Sequence, residues 1–113
     1  MSSESVSKAI EIMITVSKNP DKFYTEENRM AMIKILADVF REITPLVKEY
    51  EEHTFQNSKL SQCARDLRVI INEINGGLTH PTQILPRMKT VHKALIDIEA
   101  VMNMEKKKVG SLK

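Results

Sequence analysis

The chain has 113 residues, 42% of them hydrophobic and 28% charged, with a formal net charge of +2. That is the length of one domain with one core, and the balance argues against a disordered polymer. Only three glycines and four prolines leave little turn material for a many-stranded β-fold. The single Cys63 excludes an internal disulfide framework, and no apolar run approaches the ~20 residues of a membrane span. No N-terminal apolar stretch with a basic flank reads as a signal. These features point to an intracellular, cytoplasmic protein forming one domain over residues 1–113.

Taken in chain order, Ser2 to Ser5 are polar and offer N-caps to a first helix. Val6, Ile10 and Met13 follow at steps of four and three, widened by Ala9 and Val16, and predict a helix over about 4–18. Asn19-Pro20 ends it, because proline cannot continue the hydrogen-bond ladder.

Thr25 is the expected cap of a second helix, with Glu26 and Glu27 at the positive end of its dipole. Its seam is Met32, Leu36, Val39, Ile43, Leu46 and Tyr50. The steps keep phase through Pro45. This predicts one helix over about 26–53, kinked near Thr44-Pro45. The alternative is a break with Pro45 opening a new helix.

A third helix is expected over 58–74, capped by Ser58, with Leu60, Ala64, Leu67, Ile71 and Ile74 as its seam. Cys63 lies beside that seam and reads as a buried small hydrophobe. Asn75-Gly76-Gly77 is the stop signal. Thr79 to Pro86 reads as a loop, with Pro86 in the first turn of a fourth helix over about 82–107. That helix carries Ile84, Met88, Val91, Leu95, Ile98 and Met102. Residues 109–113 are expected to form a flexible tail. Four such stripes joined by short links predict an all-α, up-down-up-down four-helix bundle. Helices two and four are expected to outrun one and three and to offer their ends to another chain.

Charge is unevenly placed: residues 1–56 carry ten acids and seven bases, and residues 57–113 five acids and ten bases. The two halves can face each other, or the basic half can meet an acidic partner. Arg65, Arg68, Arg87, Lys89 and Lys93 are the candidate partner-binding cations. Arg87 and Lys89 crowd a helix N-terminus, where the dipole disfavours cations, so a carboxylate such as Glu26 or Glu27, or a partner, is expected to hold them.

The signals for chemistry are sparse. Glu49 and His53 share a face at i,i+4, but no Glu-x-x-His pair of a di-metal bundle occurs, so no metal or other cofactor is expected. No partner for Cys63 as a nucleophile is visible, and Gly76-Gly77 lacks the lysine and hydroxyl of a phosphate loop. His92 sits in mid-helix beside its seam. Histidine phosphotransfer domains place an imidazole so, but Leu95 and Ile96 stand where that family carries lysine and glycine. Met13, Met32, Met88 and Met102 fall on seams while Met30 and Met104 fall off them, which suits gap-filling in a core with five aromatics or a soft groove for another helix.

The sequence therefore predicts a non-enzymatic protein–protein interaction module, an adaptor, regulatory factor or assembly subunit, docking through apolar helix faces with a basic rim. The partner is another protein or a second copy of the chain. Nucleic-acid binding and phosphotransfer through His92 are the alternatives.

Overall fold

The computed structural model describes residues 2–111, with side chains described through Met104. It contains helices α1 (Ser2–Lys18), α2 (Pro20–Phe23), α3 (Glu26–Glu49), α4 (Phe55–Gly76) and α5 (Pro81–Ser111). Among the described residues there is no strand. The four long helices form the expected up-down-up-down bundle: α1 packs on α3 and α5, and α4 closes the ring by packing on the same two. Its principal extents are 56 × 24 × 19 Å.

The seams form a single core. Val6, Ala9 and Met13 of α1 meet Met32, Leu36, Val39 and Ile43 of α3, and Ile84, Met88, Val91, Leu95 and Ile98 of α5 complete it. On α4 the buried row is Leu60, Cys63, Leu67, Ile70 and Ile74. Ala64 and Ile71, expected on that seam, are half-buried and flank it. Both rows satisfy a four–three rhythm; packing against α5 as well as α3 selects the former. Burying residues of this size contributes about 1.5–3 kcal/mol each before entropy is charged.

Several boundaries differ from the expected ones, each for a local reason. The helix expected over 4–18 starts at Ser2, because a carboxylate on α5 replaces the serine caps. Glu99 Oε1 accepts from the Ser3 amide at 3.1 Å and its Oε2 from the Ser3 hydroxyl at 2.6 Å. This satisfies orphan donors at a helix N-terminus and brings a negative charge to it.

The link after Lys18 carries one helical turn, α2, opened by Pro20. Asn28 Nδ2 donates to the Phe23 carbonyl, and Thr25 Oγ1 accepts from the Asn28 amide at 3.1 Å, so α2 is tied to the start of α3.

The helix expected over 26–53 ends at Glu49, with Tyr50 as its C-cap and His53 in the left-handed region at φ 71°. Pro45 lies inside α3 without breaking it. The carbonyl its missing amide leaves unpaired is that of Arg41, and both residues are exposed, so water can satisfy it.

Helix α4 starts three residues before the expected 58. Thr54, not Ser58, is its cap, accepting from the Asn57 amide at 3.1 Å. The Asn57 side chain donates to the Val47 and Tyr50 carbonyls, both at 3.1 Å, and so closes the end of α3. At the far end Gly77, with φ 69°, is the expected glycine stop.

Pro86 lies inside α5 and not in its first turn; Pro81 opens the helix and the expected 79–86 loop shrinks to the residues before it. His80 accepts there, its Nδ1 3.2 Å from the Thr82 amide. At the other end α5 is helical through Ser111, so most of the expected tail from 109 continues the helix, while Leu112 and Lys113 lie outside the described residues.

As expected, the second and fourth bundle helices, α3 with 24 residues and α5 with 31, outrun α1 with 17 and α4 with 22, although α3 is only slightly longer than α4. Since Ser3 of α1 sits beside Glu99, α5 runs on for three turns beyond that contact.

Candidate functional site

The five cations singled out in the sequence do not form one patch. Arg87 reaches across to α4 and pairs with Glu73, so the carboxylate holding it comes from the preceding helix and not from Glu26 or Glu27. Lys93 pairs with Asp97 one turn along α5 at 3.5 Å. Lys89 stands exposed on α5, away from its buried row. The shallow α4–α5 furrow beside them is lined by Lys59, Asp66, Lys93 and Asp97, so its cations and acids alternate. Arg41, similarly, pairs with Asp38 on α3. These ion pairs stay within one half of the chain, so they do not join the acidic half to the basic one.

Arg65 and Arg68 lie on a different face, where α4 meets α3. Here the two helices leave an open groove of about 290 Å³. Phe40, Thr44 and Val47 of α3 and Ser61 and Ala64 of α4 line it, with Lys48, Arg65 and Arg68 at its edges. All three cations are exposed, whereas the five other residues are half-buried. None of the eight lining residues is an acid. Arg65 donates to Gln62 Oε1 at 2.9 Å, a neutral acceptor.

Local structure explains why the groove exists. Phe40, Thr44 and Val47 recur at four and three along α3, one step round from the buried row of Val39 and Ile43. On α4, Ser61, Ala64 and Arg68 recur at three and four beside Leu60, Cys63 and Leu67. Serine and alanine facing phenylalanine and valine leave a concave strip, because the small side chains cannot fill the space over the seam. The Thr44 hydroxyl donates to the Phe40 carbonyl at 2.6 Å, so its outer surface is a methyl group and the floor stays apolar.

The other sequence candidates lie apart from this groove. His92 is half-buried on α5. His53 sits in the α3–α4 turn and His80 at the start of α5, so the three imidazoles occupy different places in the fold. Among the described residues, no three His, Cys, Asp or Glu side chains converge as metal ligands. Cys63 is buried and unpaired, and burial pushes its thiol up to about 11. A thiol so held is a weak nucleophile at neutral pH. Burial likewise raises the Tyr24 phenol above its ordinary value, opposed by the nearby Arg29. Its Oη is shielded from solvent without a hydrogen-bond partner among the described residues.

Phe40 and Val47 escaped the sequence reading as site residues. The available signal was a second apolar row on α3, displaced from the seam and followed by Lys48. No helix among the described residues is long and apolar enough to cross a membrane. No family model, no curated protein and no solved structure matches the chain.

Proposed function

We propose that the protein is a non-enzymatic interaction module that docks another protein on the face formed by α3 and α4. The observation that supports this reading is the apolar groove between those helices, with three cations at its edges and no acid in its lining. An exposed apolar concavity rimmed by charge is the usual form of a protein contact. Burial of the apolar floor contributes to affinity, offset by the freedom lost on association. Lys48, Arg65 and Arg68 steer encounter and fix orientation. On the α4–α5 side Arg87 and Lys93 are paired with Glu73 and Asp97 and acids share the furrow, so it offers less to a charged partner. A nucleic acid would use the cations and could stack one base on Phe40, but Val47 and Ala64 offer it nothing further.

The test is site-directed photocrosslinking in the organism that encodes the chain. A benzophenone amino acid at Ser61 reports on the α3–α4 face, and one at Glu11, exposed on α1, is the control. A discrete protein adduct from position 61 and none from position 11 is expected. Adducts to nucleic acid, or no protein adduct from position 61, would refute the reading.

A further inference from the structure

We infer that the occupant of the α3–α4 groove is an amphipathic α-helix of a partner protein, with carboxylates on both flanks of its apolar stripe. The inference rests on the docking reading above and specifies what is docked.

Three modes of peptide capture are open to a groove of this size, and the walls discriminate among them. A β-strand added to a surface needs free backbone donors and acceptors along the edge it joins. Both walls here are helices whose backbone groups, the Arg41 carbonyl opposite Pro45 apart, are bonded within α3 and α4, so an incoming strand would find no ladder. A polyproline segment needs a groove lined with aromatic rings. This one holds a single aromatic, Phe40. A helix arrives with its own backbone satisfied and needs only apolar room for side chains spaced at i, i+3 or i+4 and i+7. The lining runs from Ser61 to Arg68 on α4, about two turns of helix. Its volume, about 290 Å³, lies at the lower edge of ligand cavities (~300–1,000 Å³). An open strip of that length accommodates successive anchors from a helix lying along it.

Charge sets the partner's flanks. Lys48 stands on the α3 wall, and Arg65 and Arg68, one turn apart, stand on the α4 wall. Cations therefore bound the groove on both sides. Antiparallel α3 and α4 place Lys48 toward the Asn57 turn and Arg68 toward the other end. A partner helix with acids on one side of its stripe would leave one wall unmatched. Arg65 is positioned by Gln62, which in turn donates to Asp66 at 2.9 Å, so the guanidinium is held without being neutralised by a direct carboxylate bond. The two arginines offer forked donors to carboxylates, the more directional of the charged contacts.

The probe is a labelled peptide of roughly five helical turns with leucines at i, i+4 and i+7 and glutamates on both flanks. Three comparators are needed: the same peptide with every glutamate made lysine, the same composition interrupted by proline, and single-stranded and duplex oligonucleotides. Fluorescence anisotropy against the full chain is expected to show saturable binding of the first alone. The surface double variant Arg65→Glu/Arg68→Glu, with its fold checked by circular dichroism, should weaken that peptide by at least about tenfold and favour the lysine peptide. Ala64→Phe, which fills the floor, should weaken the glutamate peptide. Lys93→Glu, on the other side of α4, should change nothing. Equal binding of glutamate and lysine peptides, undiminished binding of the proline-interrupted peptide, or tighter binding of an oligonucleotide would each overturn the inference. A protein crosslinked from Ser61 together with any of those results would leave the docking face standing and remove only the acidic helix.

Discussion

Asn57 is the side chain that fixes α3 against α4, and its replacement tests how the groove is held together. Its amide nitrogen donates to the carbonyls of Val47 and Tyr50, and its backbone amide is already taken by Thr54. Asn57→Ala removes two hydrogen bonds and leaves two half-covered carbonyls at the end of α3. At 0.5–1.5 kcal/mol for each net bond, the loss is about 1–3 kcal/mol. For a chain of 113 residues, thermal unfolding should fall by roughly 4–12 °C. Asn57→Asp separates this account from a simpler one. Asn57 is the third residue of α4, where an acid gains about 0.3–1 kcal/mol from the helix dipole. A carboxylate cannot donate, however, and would face two carbonyl oxygens. If the clasp dominates, Asn57→Asp is no more stable than Asn57→Ala. Urea titration of the three proteins measures this directly. An aspartate variant as stable as the parent, or an alanine variant within about 0.3 kcal/mol of it, would show that the clasp carries no weight.

Three further outcomes are expected. Gly77→Ala should cost about 1–2 kcal/mol, since φ is +69° and the added Cβ would meet Arg29 Nη1 at 2.6 Å, whereas Gly76→Ala, helical with nothing within 4 Å, should be neutral or stabilising by up to about 1 kcal/mol in chemical denaturation. Pro45→Ala should raise the melting temperature: it restores the bond to the Arg41 carbonyl at an exposed site and removes a helix-interior proline, worth about 1–3 kcal/mol less the entropy proline had taken from the unfolded chain. Cys63 should make folding weaken at alkaline pH. Its thiol is raised from 9.0 to about 11, so the folded state prefers the protonated form; the stabilisation is complete below pH 9 and disappears as pH rises through 11. It amounts to on the order of 2 kcal/mol, and Cys63→Ala should flatten that part of a urea-stability profile; an unchanged slope would refute the assignment.

The spacing of apolar residues made the bundle legible before any coordinates. Leu67, Leu95 and Ile98 lie in the core because steps of four and three return a side chain to one face of a helix. Helix ends were less legible because the deciding partners are remote in sequence. Ser58 and Thr54 are both good caps by type. Thr54 wins because starting α4 there puts Asn57 opposite Val47 and Tyr50, contacts ten and seven residues away. The start of α1 depends on Glu99, 96 residues from Ser3. Pro86 was read as a helix start because proline favours first turns; Pro81 fills that role, and an exposed helix face tolerates the second proline.

The groove was hidden by the same regularity that revealed the bundle. On α4, Leu60, Leu67 and Ile74 fit a seam completed by Ala64 and Ile71 or by Cys63 and Ile70, and periodicity alone cannot choose. The choice matters for function. With Cys63 and Ile70 inside, Ala64 turns toward α3 and faces Phe40 and Val47 across an unfilled strip. Had Ala64 been buried, Arg65 and Arg68 would lack the floor that makes them a rim. A rotation of α4 by a fraction of a turn thus separates a closed bundle from one with an apolar, cation-edged groove. The bundle needs one row of each helix for its stability. The row beside it on α3, Phe40, Thr44 and Val47, borders that core with Phe40 and Val47 half-buried against it, and so keeps apolar surface in reserve for a partner.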